Sequence, residues 1–77
     1  MIHLSPNDTK HTIKVETRYL LTGVVQCYID NDLISVYGTT DDGVFTFDLP
    51  YTFNVGDYAI KLEQDSTVYY RGLIRVL

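Results

Sequence analysis

The chain has 77 residues, ten acidic and six basic side chains, a net charge of −4, one cysteine and no tryptophan. A domain of this size removes only about 60–65% of its unfolded surface from water, and below about 80 residues stability usually leans on a disulfide, a metal or a partner subunit. Cys27 stands alone, which excludes an internal disulfide, and the six scattered cations make no basic stripe of the kind that neutralises nucleic-acid phosphates.

Residues 2–4 are a short apolar start, closed by the turn formers Ser5, Pro6, Asn7 and Asp8. From Thr12 the alternation is regular. Ile13, Val15 and Thr17 point one way and Lys14, Glu16 and Arg18 the other, which is a strand with one wet face. After Gly23 comes a strand over 24–29 with Val25, Cys27 and Ile29 as its inward set. Asp30, Asn31 and Asp32 turn the chain into a returning strand over 33–37. Gly38, Thr39, Thr40, Asp41, Asp42 and Gly43 read together as a loop. The strand over 44–49 follows, with Phe45, Phe47 and Leu49 on one face and Asp48 on the other. Pro50 ends it, because proline cannot donate to a ladder.

Residues 51–55 cross to Gly56 and Asp57, after which Tyr58, Ile60 and Leu62 alternate against Ala59, Lys61 and Glu63. A turn over 64–67 leads into the terminal strand over 68–77. Seven Tyr, three Phe and many Val, Ile and Thr suit pleated, half-buried surfaces. No stretch keeps helical spacing. The expectation is one all-β domain over 1–77, a small antiparallel β-sandwich of six to seven short strands with little or no helix.

Loop parity in the last hairpin decides which residues share a face. A three-residue loop over 65–67 sets Leu62 against Tyr70, Ile60 against Gly72 and Tyr58 against Ile74. A two- or four-residue loop would set Ile60 against Arg71 on the core face. Slipping by one residue flips every side chain, and an unpaired buried guanidinium costs several kcal/mol. The odd register is therefore favoured, although its loop lacks the usual Gly. It leaves Tyr69, Arg71, Leu73, Arg75 and Leu77 outward. Tyr and Arg are the types enriched at interface hot spots, so these five residues are the candidate partner-binding row. The plain alternative is a solvated face with Arg stems lying over Tyr rings.

The sequence offers little chemistry. His3 and His11 flank a turn and would approach each other only if the first two strands paired, with no third ligand at hand. They read better as solvated polar residues. Asp30, Asn31 and Asp32 with Asp41, Asp42 and Gly43 would chelate calcium only if both loops met at one end of the sheet, and neither has EF-hand spacing. Cys27 reads as a small buried hydrophobe rather than a reactive thiol. Ser5, Ser35 and Ser66 lack a nucleophile-elbow context. The reading is non-enzymatic, without a cofactor or bound metal. The longest uncharged run, residues 19–29, is too short and polar to span a membrane, and residues 1–10 lack the apolar core of a signal peptide. A soluble chain made in the cytosol is expected.

Two stretches carry a resemblance. MIHLSPNDTKHTIKVET has a short strand, a polar turn and a Thr-rich second strand. At the other end, Val55, Gly56, Asp57, Tyr58, Ala59 and Ile60 are followed by Tyr70, Arg71, Gly72, Leu73 and Ile74. Both resemble small β-sandwich virion proteins of tailed bacteriophages, the crAss-like group among them. The likeness covers roughly the outer two-fifths to half of the chain and leaves residues 23–53 unmatched. It implies an immunoglobulin-like or jelly-roll-like sandwich, present in many copies on a phage particle after synthesis in the host cytoplasm. The implied role is a capsid auxiliary or decoration protein, a head-fibre piece, or a neck or tail accessory. Implied partners are the major capsid protein or a neck or tail protein, while the charge balance and the short uncharged run argue separately against nucleic acid and membrane. The rival reading is a carbohydrate- or host-surface-binding module using exposed tyrosines, with residues 38–43 shaping its site. An inhibitor of a host enzyme is the third.

Overall fold

His11, Ile13 and Val15 are buried while Thr12, Lys14 and Glu16 face water, so alternation in sequence becomes a one-sided strand in space. The same rule builds the rest of the computed structural model, which describes residues 1–17 and 21–77. Arg18 lies outside the described residues. Seven strands form: β1 (Ile2–Leu4), β2 (His11–Glu16), β3 (Gly23–Ile29), β4 (Asp32–Asp41), β5 (Val44–Leu49), β6 (Gly56–Gln64) and β7 (Thr67–Val76). No helix occurs among the described residues. The strands hydrogen-bond into one sheet, ordered β1-β7-β6-β3-β4-β5-β2. Every pair is antiparallel except β1 on β7, which makes the sheet mixed.

A flat sheet with no helix over it would leave both faces wet. Instead β2 to β7 all send apolar side chains into one buried cluster, against which Ile2 and Leu4 of β1 also pack. The sheet folds over on itself, and the small β-sandwich expected from the sequence has layers that share one continuous ladder. Burying each large aliphatic or aromatic side chain contributes about 1.5–3 kcal/mol. Two residues outside the strands close the ends. Phe53 stands edge-on to His11 at 5.4 Å and to Tyr58 at 4.9 Å, with Tyr51 tilted against it at 4.7 Å. Leu21 fills the other end, where its N–H donates to the Thr40 hydroxyl at 3.1 Å and its carbonyl accepts from that hydroxyl.

The turns decide the registers. Asp42 and Gly43 join β4 to β5 with φ of 53° and 78°, the left-handed pair that matches strand twist in two-residue hairpins. Residues 38–41 are therefore not loop but the second half of β4, a correction to the sequence expectation. Their composition misled: Gly38 is a strand residue on which the Phe45 ring lies, only 2.7 Å from where a Cβ would stand.

Between β6 and β7 the pairs Leu62–Tyr70, Ile60–Gly72 and Tyr58–Ile74 form as parity required. The route differs. The loop is only Asp65 and Ser66, at φ 53° and 66°, and the odd residue is taken up by a bulge at the Leu62/Glu63 step, opposite Tyr69.

One further expectation, a solvated His11, is corrected, and the conditions attached to the two metal readings are not met. β1 pairs with β7, not β2, so His3 and His11 lie on strands at opposite edges of the sheet order. His11 is not solvated: it is 5% exposed, and its Nε2 has no hydrogen-bond partner. The two acidic turns sit at opposite ends of the ten-residue β4, roughly 30 Å apart at strand rise, and cannot share an ion. Asp30 and Asp32 have local duties instead. The Ala59 N–H donates to Asp30 Oδ1 at 2.9 Å, and the Tyr51 hydroxyl donates to Asp32 Oδ2 at 2.7 Å.

Candidate functional site: the outer face of β3, β6 and β7

Register fixes a grid of side chains on the solvent side of three adjacent strands. One line across it is Tyr28, Lys61 and Arg71, joined by the pairs Tyr28–Lys61 and Lys61–Arg71. The next is Ala59 with Leu73 on one side and, on the other, Asp30, whose N–H donates to the Ala59 carbonyl at 2.9 Å. The third is Asp57 with Arg75. Of the sequence-derived row, Arg71, Leu73 and Arg75 stand exposed on this face, and Leu77 lies exposed just past the end of β7. Leu73 is 51% exposed and Leu77 75%. Tyr69 departs from the row. As the bulged residue it is half-buried and packs against the core cluster. Parity alone does not separate a bulge from a longer loop, because both add one residue.

The charges on the face are unequally matched. Arg75 Nε donates to Asp57 Oδ1 at 3.0 Å and Nη2 to Oδ2 at 3.4 Å. That hydrogen-bonded pairing holds the Asp57 carboxyl below its usual range and raises the Arg75 guanidinium. Both groups are open to water, so the pair orders side chains more than it stabilises the fold. Lys61 Nζ lies 3.6 Å from Glu63 Oε2 and 4.4 Å from the centre of the Tyr28 ring. Arg71 has no carboxylate partner among the described residues. Ala59 is the small residue at the centre of the grid. Around it lies a hollow of about 200 Å³, lined also by Tyr28, Asp30, Lys61 and Arg71.

Lys61, Ala59, Tyr28 and Asp30 were not assigned to this face from the sequence. Lys61 was within reach once the hairpin register was set. Tyr28 and Asp30 were not, since the β3–β6 pairing joins strands about thirty residues apart with no turn to fix it. A second exposed patch was also missed. Val24 faces Tyr37 and Tyr28 faces Leu33 on the outer side of β3 and β4. Tyr37, 70% exposed, borders a shallow hollow of about 260 Å³ with Thr39, Thr46 and Asp48.

Reactive groups are few on this surface. Cys27 is fully buried in the core, and burial pushes its thiol up to about 12, far from a nucleophile's range. No cluster of three His, Cys, Asp or Glu side chains suited to a metal occurs among the described residues. What the outer face offers is an exposed leucine framed by arginines, a tyrosine and a lysine. Comparison with protein-family models, with curated proteins and with solved structures finds no match to this chain.

Proposed function

We propose that this chain is a non-enzymatic docking module, and that it serves as a structural component of a bacteriophage virion by binding other virion subunits through the outer face of β3, β6 and β7. Leu73 carries the reading. It is a half-exposed leucine in mid-strand, with Arg71 and Arg75 along its own strand and Ala59 beside it. An apolar centre with arginines around it matches the make-up of protein interfaces, whose buried cores are apolar and whose contacts are enriched in Arg. The virion setting rests on the sequence resemblance at the two ends of the chain. In that setting the partner is the major capsid protein or a neck or tail protein, and many copies are arrayed as auxiliary, decoration, head-fibre or accessory subunits.

Leu73→Glu tests the proposal. The side chain projects into water, so the variant should fold as the parent does, yet be absent from particles assembled in infected cells. Incorporation at the parental level would overturn it. Tyr69 is unsuitable for this test because truncating it also disturbs the core.

A second reading, carbohydrate binding, has its own observation. Tyr37 presents a largely bare ring beside the hydroxyls of Thr39 and Thr46 and the carboxylate of Asp48, and an exposed aromatic with flanking polar groups is a platform for sugars. Specific signals on a glycan array that vanish in Tyr37→Ala would favour it over the docking module.

A further inference from the structure

Lys61 and Arg71 stand directly opposite each other on β6 and β7. Like charges so placed repel and weaken a sheet. Glu63 and the Tyr28 ring draw Lys61 partly aside, while Arg71 is left exposed with no anion of its own among the described residues. Immediately next to the pair the surface falls away over Ala59 and the backbone of Gly72. Two cations therefore guard one end of a hollow of about 200 Å³. We propose that this hollow receives a glutamate or aspartate side chain from an acidic segment of a partner protein, its carboxylate bridging Lys61 and Arg71.

The chemistry selects that occupant. Guanidinium presents a planar fork that takes a carboxylate through two parallel hydrogen bonds, and ammonium adds a point charge. A bridging anion turns the repulsion between the two strands into attraction for both. Asp30 on the far wall and Glu63 behind Lys61 limit the negative charge the hollow tolerates. One carboxylate fits that balance better than a doubly charged phosphate. The methylene stem of a glutamate then rests on Ala59, with Leu73 alongside. This inference rests on the outer face being a docking surface and names the group it recognises.

The test is an amide and arginine side-chain NMR titration at physiological salt, with acetylated hexaglutamate, hexaglutamine and inorganic phosphate as probes. Hexaglutamate should give saturable shifts confined to Ala59, Lys61, Arg71, Gly72 and the Arg71 Nε–H. Hexaglutamine should give none. Arg71→Gln and Lys61→Gln should each weaken hexaglutamate binding about tenfold, as loss of a charge-assisted contact does, and dispersed spectra will show that both variants fold. Equal shifts from the two peptides, unchanged binding by Arg71→Gln, or tighter binding of phosphate at the same residues would each overturn the carboxylate site. The docking face is scored separately by Leu73→Glu. A Leu73→Glu chain lost from particles, with no hexaglutamate binding by the parent, sinks the carboxylate site alone.

Discussion

Adding one methyl group at Gly38 puts the β4–β5 pairing to a quantitative trial. Its Cβ would stand 2.7 Å and 2.9 Å from two atoms of the Phe45 ring, and closer still to the Thr46 carbonyl oxygen. The ring belongs to a fully buried side chain, and the oxygen belongs to the ladder, so neither can step aside cheaply. Overpacking of this kind costs about 1–3 kcal/mol, and contact with backbone places Gly38→Ala at the upper end. Removing a strand glycine returns roughly 0.5–1 kcal/mol. The net loss is about 2 kcal/mol, or a Tm lowered by roughly 8–16 °C in a domain of this size. Thermal unfolding followed by circular dichroism, with urea titration as the second measure, reads it directly. Gly43→Ala provides the contrast: nothing lies within 4 Å of its Cβ, and only its φ of 78° opposes the change, at about 1–2 kcal/mol. If Gly38→Ala melts within about 4 °C of the parent, residues 38–41 are not packed as a strand and the register given for β4 and β5 is wrong.

Ser66→Gly should stabilise the chain by about 0.5–1 kcal/mol in urea titration, because serine holds φ 66° in the two-residue turn where glycine is unstrained. His11→Phe should raise stability by about 1 kcal/mol in the same assay, since it removes a buried nitrogen that has no partner beside Phe53. Cys27 should resist thiol reagents in the folded protein and react only as fast as the chain unfolds, which timed labelling with a chromogenic disulfide would measure. At alkaline pH the sign is fixed by two groups that ionise later when folded. The Cys27 thiol rises from 9.0 to about 12 by burial. The Tyr51 hydroxyl rises from 10.0 to about 12, chiefly through its hydrogen bond to Asp32. Above pH 9 the folded chain therefore binds more protons than the unfolded one, and stability must fall as pH climbs from about 9 to 12. Asp32→Asn should bring tyrosinate absorbance in at lower pH, and an unchanged titration would remove that hydrogen bond from the account.

Much of this architecture is written in alternation. Ile13 and Val15, Val25, Cys27 and Ile29, and Phe45, Phe47 and Leu49 are all buried as their spacing demands. The cost of hiding Arg71 was enough to set β6 against β7 correctly, although a bulge supplied the odd residue. Local composition failed where a strand happened to be built from loop-like residues, as in Gly38, Thr39, Thr40 and Asp41. The candidate face was half legible. Arg71, Leu73, Arg75 and Leu77 followed from parity within one hairpin, but Tyr28 and Asp30 joined them through a distant strand pairing that no local pattern encodes. Tyr69 was misplaced because parity counts residues and is blind to which of them bulges. The parallel seating of β1 was equally out of reach, since three residues contain too little pattern to name a neighbour.

That parallel seating bears on how the molecule assembles itself. Among the described residues the first strand finds its ladder on the last alone, Ile2 beside Ile74 and Leu4 beside Val76, so nearly the whole chain must be in hand before β1 has anywhere to lie. Loop closure over such a span is slow relative to the hairpins. β1 should consequently be the final piece laid down and the first to lift away, with its amide protons exchanging well ahead of those in β3 and β6.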